Sequence, residues 1–381
     1  MKTLFLILTL IHGLIHLLGF LKSFSLAELY DLILDIPPKM GFLWLFSAFL
    51  FLSVFVLFAA NKDWWWIPAI LATIISQILI ILTWKDTKFG TIPNTIVVIA
   101  IIIGVAMWNF NRQVSKEINL ILSEGNASGK VIITWQMLES LPPQVQLWLT
   151  TSGVVGKENI QSVYFKQKGV MKLKPDQKKW SDAEAEQYIT TDKPAFIWKV
   201  DMGVVPLVNT SGRDLFVDGN GHMLIKIASL VPVVDITHNA KLNQSTLQRY
   251  LLEIPWYPTA ALSSYITWES IDRYSAKATM TYKGVSGSAI YHFTEYGDLE
   301  KVSALRYKDT DDNAKLIECI GEVRGSTIVD GIKIPTKLHV SWVLEEGKFV
   351  WYKLELFDIE FNIGAPEGAP EGQSPRFNSF S

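Results

Sequence analysis

Four stretches of this 381-residue chain contain no Asp, Glu, Lys or Arg: Thr3–Leu21, Gly41–Ala60, Trp65–Thr83 and Thr91–Trp108. Each is about 18–20 residues, enough to cross a hydrocarbon core as a helix at about 1.5 Å per residue. Backbone in lipid must satisfy its own hydrogen bonds, so such a stretch is helical or part of a closed barrel. Continuous apolar runs lack the alternation of a barrel strand. Four membrane helices are therefore expected. The breaks are short: Asn61-Lys62-Asp63 joins the second and third runs, and Lys85–Gly90 joins the third and fourth. Trp64, Trp65, Trp66, Trp84 and Trp108 lie at run ends, where indole favours the headgroup region. The first run reads as an anchor rather than a cleaved signal, because its apolar core is long and three more runs follow.

Composition sharpens the boundary. The whole chain is 49% hydrophobic and 19% charged. Only 11 of its 72 charged residues fall in residues 1–110, about 10% of that segment, against about 22% in the rest, an ordinary globular value. The formal net charge of −2 offers no basic excess for a phosphate backbone, so nucleic acid is not an expected partner. The single cysteine, Cys319, can form neither an intramolecular disulfide nor a multi-Cys metal site.

Four spans place both termini on one side. Lys2, Lys62, Arg112 and Lys116 on the terminus side balance Lys22, Lys39, Lys85 and Lys88 on the other. Lys130 and the terminal amine tilt the count towards a cytoplasmic position for the termini. Between the first two runs, Leu26, Leu29, Leu32, Ile33 and Ile36 recur at helical spacing behind Ser25 and Glu28. That pattern suits a short interfacial helix with a capping box, ended by Pro37-Pro38.

His12 and His16 stand out within the first run. A spacing of i, i+4 puts both imidazoles on one face. Polar side chains inside a membrane are costly and often functional. One reading is a metal or haem site. The other, favoured because no third ligand or acid accompanies them, is a neutral pair bonded across the bundle to Ser76 or Gln77.

Beyond residue 110 a polar helix continues through Gly125, with Val114, Ile118, Ile121 and Leu122 as a narrow apolar stripe. A hinge is expected at Asn126–Gly129, then a helical patch near Trp135–Leu141 and a helix opening at Pro142-Pro143. From Gln161 the period changes to two. Phe196, Trp198, Val200 and Met202 alternate with Ile197, Lys199 and Asp201. Ala276, Ala278, Met280 and Tyr282 alternate with Lys277, Thr279 and Thr281. Leu338, Val340, Trp342 and Leu344 alternate with His339 and Ser341. Such runs, separated by Asp218–Gly221, Lys283-Gly284, Asp330-Gly331 and Glu346-Gly347, predict about ten antiparallel strands. One helix, Gln244–Leu252 with Ser245 as its cap, interrupts them.

The expected architecture is thus an all-α membrane domain of four helices (residues 1–110), a helical linker (111–160), a soluble α+β domain dominated by a large antiparallel sheet (161–363) and a disordered tail (364–381). The sheet must cover an apolar face, either by packing on helices or by curling into a half-barrel. Its inward set, Phe196, Trp198, Met202, Met280, Tyr282, Trp342 and Trp351, suits a lipophilic pocket or an aromatic core equally well.

Catalytic patterns are scarce. No GxSxG elbow, P-loop or GxGxxG occurs. Cys319 lies in the apolar run LIECIGEV and reads as a buried thiol. His292 and His339 fall on polar strand faces and can meet across a sheet; His222 and His238 lack metal-ligand spacing to another His or Cys. Glu184, Glu186 and Arg213 form a conceivable acid–base cluster, though Arg213-Asp214 reads better as a structural ion-pairing site. Asp309–Asn313 mimics a calcium loop but has Ala314 where glycine is required and Ile320 where glutamate is required. No cofactor is expected from these motifs, and the balance leans away from an enzyme.

Several segments are more distinctive. IHGLIHLLGF (Ile11–Phe20), LPPQVQLWLTTSGVVG (Leu141–Gly156), AEQYITTDKPAFIWK (Ala185–Lys199), GRDLFVDGNGHMLIK (Gly212–Lys226) and DGIKIPTKLHVSW (Asp330–Trp342) resemble an uncharacterised bacterial family known only as a domain of unknown function. Some of its members carry the four-span segment. The resemblance implies a bacterial envelope protein, in the inner membrane, and supplies no catalytic residue. The order KPAFIWK, strand, DGNGHM is also similar to lipoprotein-carrier half-barrels, which bind acyl chains in a concave sheet. The expected function is therefore non-enzymatic binding of a lipid or other apolar ligand by a bilayer-anchored β domain. The alternatives are a redox or metal/haem membrane protein using His12 and His16, and a structural or interaction protein of the envelope.

Overall fold

The computed structural model describes residues 2–27, 35–125, 129–205 and 208–364, which form two compact units divided between Arg112 and Gln113. Parts of the expected interfacial helix (residues 28–34), of the expected hinge (126–128) and of the expected tail (365–381) lie outside the described residues.

The first unit contains α1 (Lys2–Ser23), α2 (Pro38–Ala59), α3 (Trp66–Leu82), the single turn α4 (Trp84–Thr87) and the start of α5 (Thr91–Gly125). Among the described residues, three segments are long and apolar enough to cross a membrane: Lys2–Ser23, Pro38–Ala59 and Trp84–Gly125. The expectation of four is corrected here. The run Trp65–Thr83 forms α3, whose 17 residues reach only about 25 Å, short of a typical ~30 Å hydrocarbon core. Thr83 ends it by leaving helical backbone (φ −116°, ψ 29°) while its hydroxyl donates to the Leu79 carbonyl. Phe51, Val54, Ala69, Ala72 and Val97 form the bundle core. Helix α1 meets α2 closely because Gly19 has no Cβ; one there would lie 2.3 Å from the Trp44 ring.

The second unit opens with the end of α5. Val114, Ile118, Ile121 and Leu122 are each at most 3% exposed, so the polar helix does bury its narrow stripe. Two short helices follow, α6 (Trp135–Leu138) and α7 (Pro143–Thr151, with proline in its first turn). Most of the rest is one antiparallel sheet, with thirteen strands among the described residues. These are β1 (Ser162–Met171), β2 (Ser181–Thr190), β3 (Ala195–Val205), β4 (Val208–Val217), β5 (Asn220–Ile227), β6 (Val231–Ile236), β7 (Ile266–Asp272), β8 (Ser275–Tyr282), β9 (Val285–Phe293), β10 (Leu299–Tyr307), β11 (Leu316–Val329), β12 (Ile332–Leu344) and β13 (Gly347–Phe361). The order is β6-β5-β4-β3-β2-β1-β13-β12-β11-β10-β9-β8-β7. The chain builds one wing outward from β1 to β6, crosses through α8 (Ala240–Glu253), and builds the other wing inward from β7 to β13, which closes on β1.

The sheet has three more strands than the periodicity predicts. Its edge strands are mostly exposed and so impose little period of two: β6 exposes Val231 and Val233 at 54% and 52%, and β7 buries only Ile266. Right-handed twist accumulates over so many strands, and the sheet curls into a half-barrel. Helix α8 touches both wings, β4 and β5 on one side and β8, β9 and β10 on the other. It fills the concavity. It also begins earlier than its apolar spacing suggests. Asn239, not Ser245, is its cap, accepting from the Leu242 amide at 3.0 Å, whereas Ser245 lies within the helix and donates to the Tyr307 carbonyl.

Candidate functional site

The concave face is an aromatic and aliphatic wall. Phe165 and Gln167 from β1, Gln187 from β2, Phe196, Trp198 and Met202 from β3, and Phe216 from β4 line one wing. Met280 from β8 and Tyr291 from β9 line the other. Phe165, Phe196, Phe216, Met280 and Tyr291 are fully buried. Against this wall α8 lays Leu247, Tyr250 and Leu251. Of the seven expected pocket residues, Phe196, Trp198, Met202 and Met280 sit in this common core, with Tyr282 and Trp351 half-buried at its margin. Trp342 is buried on β12 and stacks under the Arg306 guanidinium, 5.7 Å from the ring centroid. Trp351 departs from strict alternation: a register shift opposite Val340 and Ser341 leaves it between the paired residues Val350 and Tyr352, and Tyr352 points inward instead.

Polar contacts add to this apolar face in holding α8 in place. The Arg249 guanidinium donates to Asp214 at 2.6 Å and to Glu253 at 2.8 Å, and lies over the rings of Trp198 (4.6 Å) and Phe196 (5.0 Å). Glu253 accepts from Gln187 at 2.6 Å. Gln187 in turn accepts from Gln167, whose carbonyl oxygen accepts from the Trp198 indole and the Tyr352 hydroxyl. Burial pushes the Asp214 carboxyl above its ordinary value, against the pull of Arg249, Arg213 and Arg306. On the other wing, Gln248 donates to the carbonyls of Ser288 and Leu305, and Arg306 donates to the carbonyl of Ser245 at 2.9 Å. At the start of the helix, the Lys241 ammonium is held by the carbonyls of Asp311, Asp312 and Ala314. The would-be calcium loop thus grips a lysine through its backbone. Sequence reasoning missed Arg249, Glu253, Gln167 and Gln187. The one local signal was the i, i+4 spacing of Arg249 and Glu253 on an amphipathic helix.

The polar candidates do not come together. Asp214 faces inward, while its neighbour Arg213 faces the opposite side, as successive strand residues must. Arg213 is fully buried. It donates to Glu117 of α5 at 3.1 Å and to the backbone carbonyl and Nδ1 of His222 at 3.0 Å each, and His222 Nε2 reaches Asp235 at 2.9 Å. Arg213 therefore joins α5 to the sheet rather than forming a cluster with Glu184 and Glu186.

Glu186 lies on that same outer face, in register with Lys166 on one side and Lys199 on the other. It is 7% exposed, and burial pushes its carboxyl up to about 7, against the attraction of Lys199 and Lys166. A raised acid binds its proton more tightly folded than unfolded, so its favourable contribution is complete below the unfolded value and is lost as pH rises through about 7. Glu186→Gln is expected to stabilise the protein at pH 8 by up to about 3 kcal/mol and to change little near pH 4. Thermal denaturation at the two pH values checks this.

Within the bundle, His16 Nε2 lies 2.9 Å from the Ser76 hydroxyl, and its Nδ1 lies 2.7 Å from the His12 carbonyl. His12 Nε2 lies 2.9 Å from the Asn94 carbonyl oxygen, and Asn94 also bonds Ser76 and Gln77. Asn94 is the hub of this network and was not anticipated. Among the described residues, no group of three or more His, Cys, Asp or Glu is placed to hold a metal. Cys319 is buried, and burial raises its thiol above the ordinary value. His292 and His339 do not meet, since β10 and β11 separate their strands.

The crystal structure of LolA superfamily protein NE2245 from Nitrosomonas europaea aligns with 61% of this chain and 95% of its own, at 12% identity and a TM-score of 0.32. No residue role is taken from that overlap. No curated protein matches the chain. Residues 139–361, which take in α7, all thirteen strands and α8, match the model of a family of unknown function, DUF6920, and the chain belongs to that family.

Proposed function

We propose that this protein is a membrane-anchored binding module that takes a lipid or other apolar ligand on the concave face of its sheet, in exchange for α8. The observation that carries the reading is how α8 is seated. An aromatic wall is covered in part by α8, and besides its apolar face that helix is fastened by side-chain hydrogen bonds and one ion-pair network around Arg249. Groups such as Arg249, Glu253 and Lys241 are solvated at little loss once the helix leaves. The wall is not, and an acyl chain would re-cover it at about 25 cal/mol per Å². The apolar helices supply the anchor. The anchor lies in a bacterial inner membrane. His12 and His16 serve the bundle's internal hydrogen bonding, through Ser76 and Asn94, rather than a metal.

Full-length protein in nanodiscs, irradiated with a diazirine fatty acid and mapped by peptide mass spectrometry, tests the reading. Adducts are expected on peptides holding Trp198, Met202 or Met280, in addition to those on the apolar helices. Adducts confined to α1–α5 would overturn it.

A further inference from the structure

A second surface of the β unit is unexplained by ligand binding. The β1–β2 turn and the β5–β6 turn lie at the same end of the β1–β6 wing, because Met171, Ser181, Met202, Thr210 and Ile227 follow one another across the register. Both turns hold apolar side chains in water. Leu173 is 51% exposed, Ile227 41%, Leu230 47% and Val231 54%. Their exposure is built in. The Leu173 amide donates to the Gln177 side chain, which also donates to the Lys179 carbonyl. The β5–β6 turn puts Ala228 and Ser229 in left-handed backbone (φ 53° and 55°) without a glycine, a strained turn that projects Ile227 and Leu230. An exposed apolar edge of this kind invites a partner.

Charge identifies the partner. Lys172, Lys174, Lys178 and Lys179 crowd the first turn against the single acid Asp176, and Lys226 precedes the second. Trp180 is clasped between the ammonium groups of Lys172 (4.9 Å) and Lys353 (4.8 Å). Projecting aliphatics ringed by lysine and tryptophan match the layered chemistry of a bilayer surface carrying anionic headgroups. The neighbouring β12–β13 turn, with Glu345 and Glu346, bounds the basic surface on one side.

We infer that the Leu173 and Ile227–Val231 tips form a docking surface for an anionic bilayer. In a Cys319→Ala background, Leu230→Cys carrying an environment-sensitive fluorophore is placed in nanodiscs of phosphatidylcholine with or without phosphatidylglycerol, together with nitroxide lipids. The emission is expected to shift to shorter wavelength and to be quenched when phosphatidylglycerol is present. Reversing Lys174, Lys178 and Lys179 to glutamate should lower the docked-to-free ratio at least about a hundredfold, at roughly fivefold per lysine removed. A probe at Leu305 on β10, itself 58% exposed, should respond to neither change. A Leu230 probe that stays water-like in both lipids would overturn the inference. So would shielding that appears in detergent and grows with protein concentration, which would assign the surface to a second copy of the chain.

Discussion

Arg213→Met is expected to destabilise the β unit by about 3–5 kcal/mol, the usual effect of removing one partner from a buried ion pair. The guanidinium is wholly buried and serves three acceptors on one strand and a helix: Glu117 on α5, and the carbonyl and Nδ1 of His222 on β5. Methionine fills a similar volume but leaves the Glu117 carboxylate and the His222 carbonyl without their donor. Replacing both charged partners, as Arg213→Met with Glu117→Leu, should recover a large part of the loss, because two apolar groups in contact no longer strand a charge. Denaturant unfolding of the two variants separates these outcomes. Equal instability of the single and the double variant would show that Arg213 acts through packing alone.

Arg249→Met should have the second large effect, and a different kind of effect. It removes the donor to Asp214 and Glu253 and strands two carboxylates under the helix, one of which is already pushed up by burial. The cost, again about 3–5 kcal/mol by the same argument, falls on the seat of α8 rather than on the sheet. Amide exchange should therefore rise across Ala240–Glu253 while β1, β2 and β13 in the middle of the sheet stay protected. Uniform loss of protection across sheet and helix would show that α8 is an inseparable part of the core.

Much of this architecture was legible in the residues because it obeys short-range rules. The stripe Val114, Ile118, Ile121 and Leu122 foretold a helix with one buried face, and β3 and β8 announced themselves by alternation. The partnership of His16 with Ser76 followed from the cost of a polar group among apolar helices. Other features depend on contacts distant in the chain. The edge strands β6 and β7 bury too little to show a clear period; β7 turns only Ile266 and Trp268 inward. The inward turn of Tyr352 in place of Trp351 comes from a register shift against β12. That α8 fills the concavity depends on both wings curling round it, and its fastening joins Asp214, Gln187 and Leu305, residues far apart in sequence. The length of α3 was misjudged because a hydropathy run counts Thr83 and Trp65 as apolar, whereas the helix ends where the backbone turns.

The central claim, that α8 gives way to an apolar ligand, is tested most directly by pinning the helix. A Cβ on Gly221 would fall 2.6 Å from the Thr246 hydroxyl and 3.0 Å from its methyl group, so side chains at these two positions face each other across the α8–β5 contact. In a Cys319→Ala background, Gly221→Cys with Thr246→Cys should lock α8 against β5 when oxidised. The account predicts that the oxidised protein in nanodiscs loses diazirine fatty-acid adducts on the peptides of Trp198, Met202 and Met280, keeps those on α1–α5, and regains the lost adducts on reduction. Inner-face labelling that is the same in the oxidised and reduced forms would contradict it.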